Sequence, residues 1–143
     1  INNYWMSPET TSVNRLPMLN IEHFEQISLD GTWRFQLLHS PTEKLGKRWA
    51  SIPVPGLWTM QEPSDVFFDK PMYTNVQMPF SEQPPFVPEE NPHGVYERDF
   101  ELPKSWSGKR VVLQLGGYES VALIYINGVD VGLTKDSTDK VKR

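Results

Sequence analysis

The sequence predicts an all-β fold built from two packed antiparallel sheets. Three stretches carry that expectation. "LDGTWRFQLL" alternates polar and apolar residues, "VALIYINGVDVGL" is centred on Asn127-Gly128, and the prolines of "SIPVPGLW" forbid a helix there.

The elements follow in chain order. Residues 1–27, with Pro8, Pro17 and the run "NIEHFEQ", read as an extended, irregular N-terminal segment. Residues 28–143 read as the β domain proper. Near residues 28–37, Trp33, Phe35 and Leu37 alternate with Thr32, Arg34 and Gln36. This is the period-2 pattern of a half-buried strand, led in by the turn pair Asp30-Gly31. "SPTEKLGKRW" fits one helical turn or a loop, and residues 51–55 are extended. Residues 59–94 form the longest irregular stretch, and six of the chain's 13 prolines lie between Pro71 and Pro92. So long a loop in a compact domain is usually functional or disordered. Phe67, Phe68, Tyr73, Phe80 and Phe86 argue against disorder and predict an ordered loop pinned by aromatics.

The remaining strands are expected at 95–102, 110–115, 121–126 and 129–133. In "VYERDFEL", Tyr96, Phe100 and Leu102 share a face with Arg98 among them. Asn-Gly between alternating apolar runs is the strongest short hairpin signal. Val121, Leu123 and Tyr125 face one way and Ala122, Ile124 and Ile126 the other. With both faces apolar, residues 121–126 are expected to be a central strand covered on both sides.

Composition narrows the chemistry. The chain has 143 residues, enough for one domain with a sizeable core, and its net charge of −4 gives no electrostatic case for nucleic acid or an anionic membrane. No apolar run approaches the roughly 20 residues of a membrane span. The stretch "INNYWMSPET" lacks the basic and apolar segments of a signal peptide, which favours the cytoplasm and leaves export open. There is no cysteine, so disulfides, thiolate chemistry and Cys-based zinc sites are ruled out. His23, His39 and His93 are not at metal-ligand spacing. No G-x-S-x-G, phosphate loop or H-E-x-x-H occurs. Glu89 with Glu90, and Asp65 with Asp69, are carboxylate neighbours in an irregular loop. Glycoside hydrolysis needs two carboxyls flanking the scissile bond, and a loop pair does not supply that.

What the chain does offer is flat rings and short amides. Sugars present hydroxyls around apolar C–H faces, which suit aromatic stacking and bidentate amide hydrogen bonds. Alternation places Trp33 and Phe35 in the core. Trp58 and Tyr73 border or lie within the irregular loop and divide evenly between core packing and a sugar platform. Asn75, in the uncharged stretch "PMYTNVQMPF", divides between an Asx-turn and ligand binding.

The residues then carry a resemblance. "YTNVQMPF", "PPFVPEENPHGVYERDFELPKSW" and "YINGVDVGLTKDS", with "LDGTWRF", "VPGLWTMQ" and "YWMSPETTSVNRLPM", resemble the N-terminal domain of family 2 glycoside hydrolases, the large LacZ-type β-galactosidases. The resemblance runs from about Tyr4 to Ser137. It implies a jelly-roll, galactose-binding-like β-sandwich, truncated at its C-terminal end. It also implies a separate (β/α)₈ barrel carrying the two glutamates of a retaining mechanism, so no catalytic residue lies in this chain and the fragment alone is expected to be inactive. Asn75, with Val76 beside it, would contact galactose from one wall of the pocket, and Asp136 in the Lys135-Asp136-Ser137 motif would lie near that pocket. The implied partners are a β-galactoside, the remaining domains of the same enzyme and, for the full-length enzyme, further copies of itself.

Magnesium and sodium are implied for the full-length enzyme and not for this fragment. Ser7 stands where some members have Asn near a secondary magnesium site, and the acidic sodium ligand of the family lies beyond the segment present here. Against a jelly roll's about eight strands, the chain is expected to fall short by two. That shortfall predicts association through an open sheet edge or a disordered 138–143 tail. The alternative functional reading is a free-standing carbohydrate-binding module or lectin-like domain. A structural sandwich for protein contacts is the third.

Overall fold

The structure is a computed structural model that describes residues 4–15, 25–61, 69, 80–83 and 86–135. The all-β class holds: among the described residues there are two three-stranded antiparallel sheets, three short 3₁₀ turns and no α-helix. The six strands among the described residues are β1 (Ser12–Val13), β2 (Gly31–Leu38), β3 (Ala50–Val54), β4 (His93–Glu97), β5 (Ala122–Ile126) and β6 (Val129–Thr134). Two compact units divide them. Residues 27–102 hold the sheet β3-β2-β4, and residues 1–26 with 103–143 hold the sheet β1-β6-β5.

In the first unit, β2 is the central strand. It begins at Gly31, whose φ of 128° lies where L side chains rarely go. The turn before it is tied from two sides. Trp33 Nε1 donates to the Leu29 carbonyl at 2.7 Å, and Arg98 Nη1 donates to the Leu29 and Asp30 carbonyls at 2.7 and 2.8 Å. Antiparallel register sets Trp33 opposite Ile52, and Phe35 opposite both Ala50 and Tyr96. Phe35 and Ile52 are completely buried, as alternation predicts for Phe35. On the other face Arg34 pairs with Glu97 at 3.1 Å and lies over the Trp49 ring, 4.5 Å from its centroid.

The alternation breaks at Gln36. Expected on the solvated side, it is buried, as is Leu38. The reason is local. Gln36 Oε1 accepts from the Gly46 N–H at 2.7 Å, and its Nε2 donates to the Arg48 carbonyl. The 40–48 segment, a turn followed by loop rather than a helical turn, is thereby pinned to the second face of β2. A buried amide is tolerated because both its ends are satisfied. Gln36→Ala is expected to cost about 1–3 kcal/mol by leaving those two backbone groups without partners. A urea titration of the chain measures it, and a change below about 0.5 kcal/mol would show that water replaces both bonds.

The expected strand 95–102 is shifted. β4 starts at His93 and stops at Glu97, because beyond it the chain no longer pairs with β2. Arg98 turns to the 29–30 carbonyls, and Phe100 and Leu102 are exposed.

In the second unit the hairpin is as read. Asn127 and Gly128 have φ of 51° and 77°, both positive as a type I′ turn requires, and Ile126 pairs with Val129. The register shifts by one residue between Ile124 and Tyr125, leaving Val131 as a β-bulge opposite them. Asn14, itself at φ 56°, donates its Nδ2 to the Val131 carbonyl at 3.2 Å. The bulged residue is therefore bonded through a side chain where the ladder lapses.

Three expectations fail here. β6 is the central strand of this sheet and β5 is its outer strand among the described residues, with Tyr125 and Ile126 exposed. Residues 110–115 form no strand: Val111, Val112 and Leu113 are 45%, 52% and 40% exposed. Apolar composition alone does not make a strand, since the backbone groups also need a neighbouring ladder. Finally, the N-terminal segment is not wholly irregular. Ser12 and Val13 pair with Thr134 and Leu133 as β1. The expected tail at 138–143 lies outside the described residues.

Candidate functional site

The three residues named as substrate contacts, Asn75, Val76 and Asp136, lie outside the described residues, as do Tyr73, Phe67 and Phe68. The described residues do form both flanks of the loop that holds Asn75 and the N-terminal flank of the motif that holds Asp136.

The loop that carries Asn75 leaves the first sheet after β3 and returns as β4, so its two ends flank β2. A 3₁₀ turn at Trp58–Met60 forms the departure, closed by Met60 N to Leu57 O at 3.1 Å and Gln61 N to Trp58 O at 3.2 Å. Gly56 sits just before it, where a Cβ would fall 2.7 Å from the Pro53 carbonyl oxygen. Trp58 turns its ring into a cluster with Phe35, at 6.1 Å between centroids, and Tyr96, at 6.4 Å. Phe35 and Tyr96 meet edge-on at 5.0 Å and 67°. Trp58 is half-buried and packs against the core residue Phe35, which supports the packing side of the choice that the sequence left even.

Gly94 closes the base. A Cβ there would lie 2.7 Å from Phe35 Cε2 and 2.8 Å from Trp58 Cε3, distances that real contacts do not show. The glycine and tyrosine of the G-x-Y pattern therefore have a physical reason. The glycine lets the Trp58 ring touch the returning backbone, and the tyrosine packs beside it. Nothing in the periodicity signals this base; the G-x-Y spacing two residues past Pro92 is the one trace of it.

Electrostatics at the base follow from burial. Desolvation pushes the Tyr96 hydroxyl up from its usual range and the His93 imidazole down, with a hydrogen bond to the Asn91 backbone and, less, the Glu43 charge opposing the latter. Trp58 Nε1 and His93 Nδ1 are buried and unpartnered among the described residues. A histidine with a folded pKa below its unfolded value of about 6.5 is kept neutral by folding. Its contribution to stability is present above about pH 6.5 and is lost as pH falls from there toward the depressed folded value. Stability is thus expected to drop more between pH 7.5 and 5.5 in the parent chain than in His93→Gln. Equal slopes in paired denaturation series would refute this.

The predicted pinning by aromatics does not extend to the described part of the loop. Phe80 is exposed and Phe86 is 75% exposed. The return instead is held by backbone bonds, Phe86 N to Gln83 O at 3.0 Å and Asn91 N to His39 O at 3.1 Å.

The second motif begins at Lys135, directly after β6. Its N–H donates to the Thr11 carbonyl at 2.9 Å and its Nζ to the Ser7 carbonyl, and burial lowers its pKa while Glu9 opposes. Ser7 is thus engaged through its carbonyl, and its hydroxyl lies 3.0 Å from that of Thr10. Just before Lys135, the buried Thr134 hydroxyl bonds that of Tyr118. The residue preceding Asp136 therefore stitches the N-terminal segment to β6. Among the described residues, no group of three or more His, Asp or Glu side chains is placed to hold a metal ion.

Residues 26–142 match the family described as glycosyl hydrolases family 2, sugar binding domain, and the chain belongs to that family. The β-sandwich class comes with that membership. Curated relatives include β-galactosidases of Psychromonas ingrahamii, 38% identical over 80% of this chain, and of Vibrio cholerae, 39% identical over 77%. That of Kluyveromyces lactis is 36% identical over 92%. The chain spans 11% of the first two relatives and 14% of the third.

Proposed function

We propose that this chain forms one non-catalytic wall of the galactoside site of a retaining β-galactosidase, the catalytic glutamates lying on a barrel elsewhere in a longer polypeptide. The observation that carries the reading is the match of residues 26–142 to the family 2 sugar-binding domain, in a chain spanning a small fraction of its β-galactosidase relatives. Asn75 is assigned the galactose contact, with Val76 beside it and Asp136 near the same pocket. An amide both donates and accepts, so it can bridge two adjacent sugar hydroxyls. It has no proton to transfer at neutral pH, so its part is orientation. The two carboxyl groups of a retaining glycosidase stand about 5–5.5 Å apart across the bond they cleave, and that pair belongs to the barrel. Magnesium and sodium belong, in this reading, to the longer enzyme, and no step assigned to this chain runs through a metal.

A single wall buries too little of a monosaccharide to bind it well. The isolated chain is expected to leave a chromogenic β-galactoside intact and to bind galactose at millimolar Kd or weaker, about −4 kcal/mol at best. Calorimetry and a hydrolysis assay on chromatographically clean protein test both. Turnover that stays with the chain would contradict the reading. Micromolar binding would establish a free-standing carbohydrate-binding module instead.

A further inference from the structure

We propose that Asn127 is a site of spontaneous modification, deamidating through a cyclic imide, and that the folded hairpin holds this reaction back.

Asn127 is the chain's only asparagine followed by glycine. The chemistry favours that pairing. The Gly128 backbone nitrogen attacks the side-chain carbonyl carbon of Asn127, Cγ, and a glycine has no side chain to screen the approach. The new N–Cγ bond forms as the Cγ–Nδ2 bond breaks. The proton of the Gly128 N–H leaves with the side-chain nitrogen as ammonia. Water then opens the imide ring at one carbonyl or the other, giving aspartate or isoaspartate. Solvent reaches the turn readily. Both residues are exposed, and apart from adjacent residues nothing described lies within 4 Å of where a Gly128 Cβ would sit.

The backbone of the turn decides when the ring can close. Closure needs the Gly128 nitrogen on the same side of the Cα–C bond as the Asn127 Cβ. Asn127 and Gly128 have φ of 51° and 77°, and Ile126 pairs with Val129 across them, which is the two-residue type I′ loop. As the mirror image of type I, that turn gives its first central residue a ψ of about 30°. Such a ψ points the nitrogen nearly opposite to Cβ. The nitrogen reaches Cγ only after ψ rotates, and that rotation breaks the turn and the Ile126–Val129 pair with it. The reaction therefore runs through the locally opened population. Isoaspartate, once formed, carries the main chain through the former side chain and adds a methylene to the loop. The type I′ geometry no longer fits it, and the register of β5 against β6 loses its fixed end.

The test ages the full chain at mildly alkaline pH, folded in buffer and unfolded in guanidinium chloride, with peptide mapping that separates isoaspartate from aspartate. In the unfolded chain, modification is expected to be fastest at Asn127. In the folded chain it is expected to be about tenfold slower there, or more. Asn127→Gly, which keeps a type I′ sequence as Gly-Gly, should remove the early isoaspartate. The guanidinium sample answers that point whether or not the variant folds. Equal rates at Asn127 in the folded and unfolded chain overturn the protection by the turn. Faster modification at another asparagine of the unfolded chain, or early isoaspartate that persists in Asn127→Gly, overturns the site.

Discussion

Phe35→Ala is expected to destabilise the chain by about 3–5 kcal/mol, the usual cost of emptying a fully buried aromatic site. Phe35 is completely buried, lies opposite Tyr96 and Ala50 on its two neighbouring strands, and packs against Trp58. Removing the ring takes away a partner from Tyr96 and Trp58 and leaves a void beside Gly94, where there is no side chain to fill it. Natural domains are stable by only about 5–15 kcal/mol, so such a loss brings the chain close to unfolding at room temperature. Urea unfolding followed by tryptophan emission reads it directly, because Trp58 is in the cluster. A loss under about 1.5 kcal/mol would mean that the cluster collapses onto the space and that the loop base is softer than its geometry suggests.

Local chemistry was the legible part of this fold. Asn127-Gly128 determines its own backbone, so the hairpin needed nothing from outside the stretch. The alternation likewise reported the buried side of Phe35, while Trp33 and Leu37 on the same face are half-buried. What could not be read depends on partners distant in sequence. Gln36 is buried only because the 46–48 segment turns back to bond both ends of its amide. The bulge at Val131 is bonded by Asn14, more than a hundred residues earlier. Residues 110–115 are as apolar as a strand but take no ladder, and among the described residues the apolar β5 lies outside β6 rather than at the centre. Periodicity states what a segment would do if covered; it does not say whether anything covers it.

The candidate site divides in the same way. Asn75 and Asp136 came from the resemblance, since an isolated amide in a proline-rich loop is equally an Asx-turn. The base beneath the loop came from the structure. Trp58, Gly94 and Tyr96 sit in three separate stretches, and only packing shows that the ring of the first needs the missing side chain of the second.

Whether this domain touches the sugar is measured by substitution of Asn75 in a full-length enzyme containing it. Asn75→Ala is expected to lower kcat/KM by roughly 5- to 150-fold, the equivalent of about 1–3 kcal/mol for one or two lost hydrogen bonds to neutral hydroxyls. Those bonds are made to the bound sugar and not to charge developing in the transition state, so part of the loss should fall on KM, with the thermal midpoint unchanged. Parent values of kcat and KM in a folded Asn75→Ala enzyme would contradict the assignment and leave the amide as turn chemistry alone.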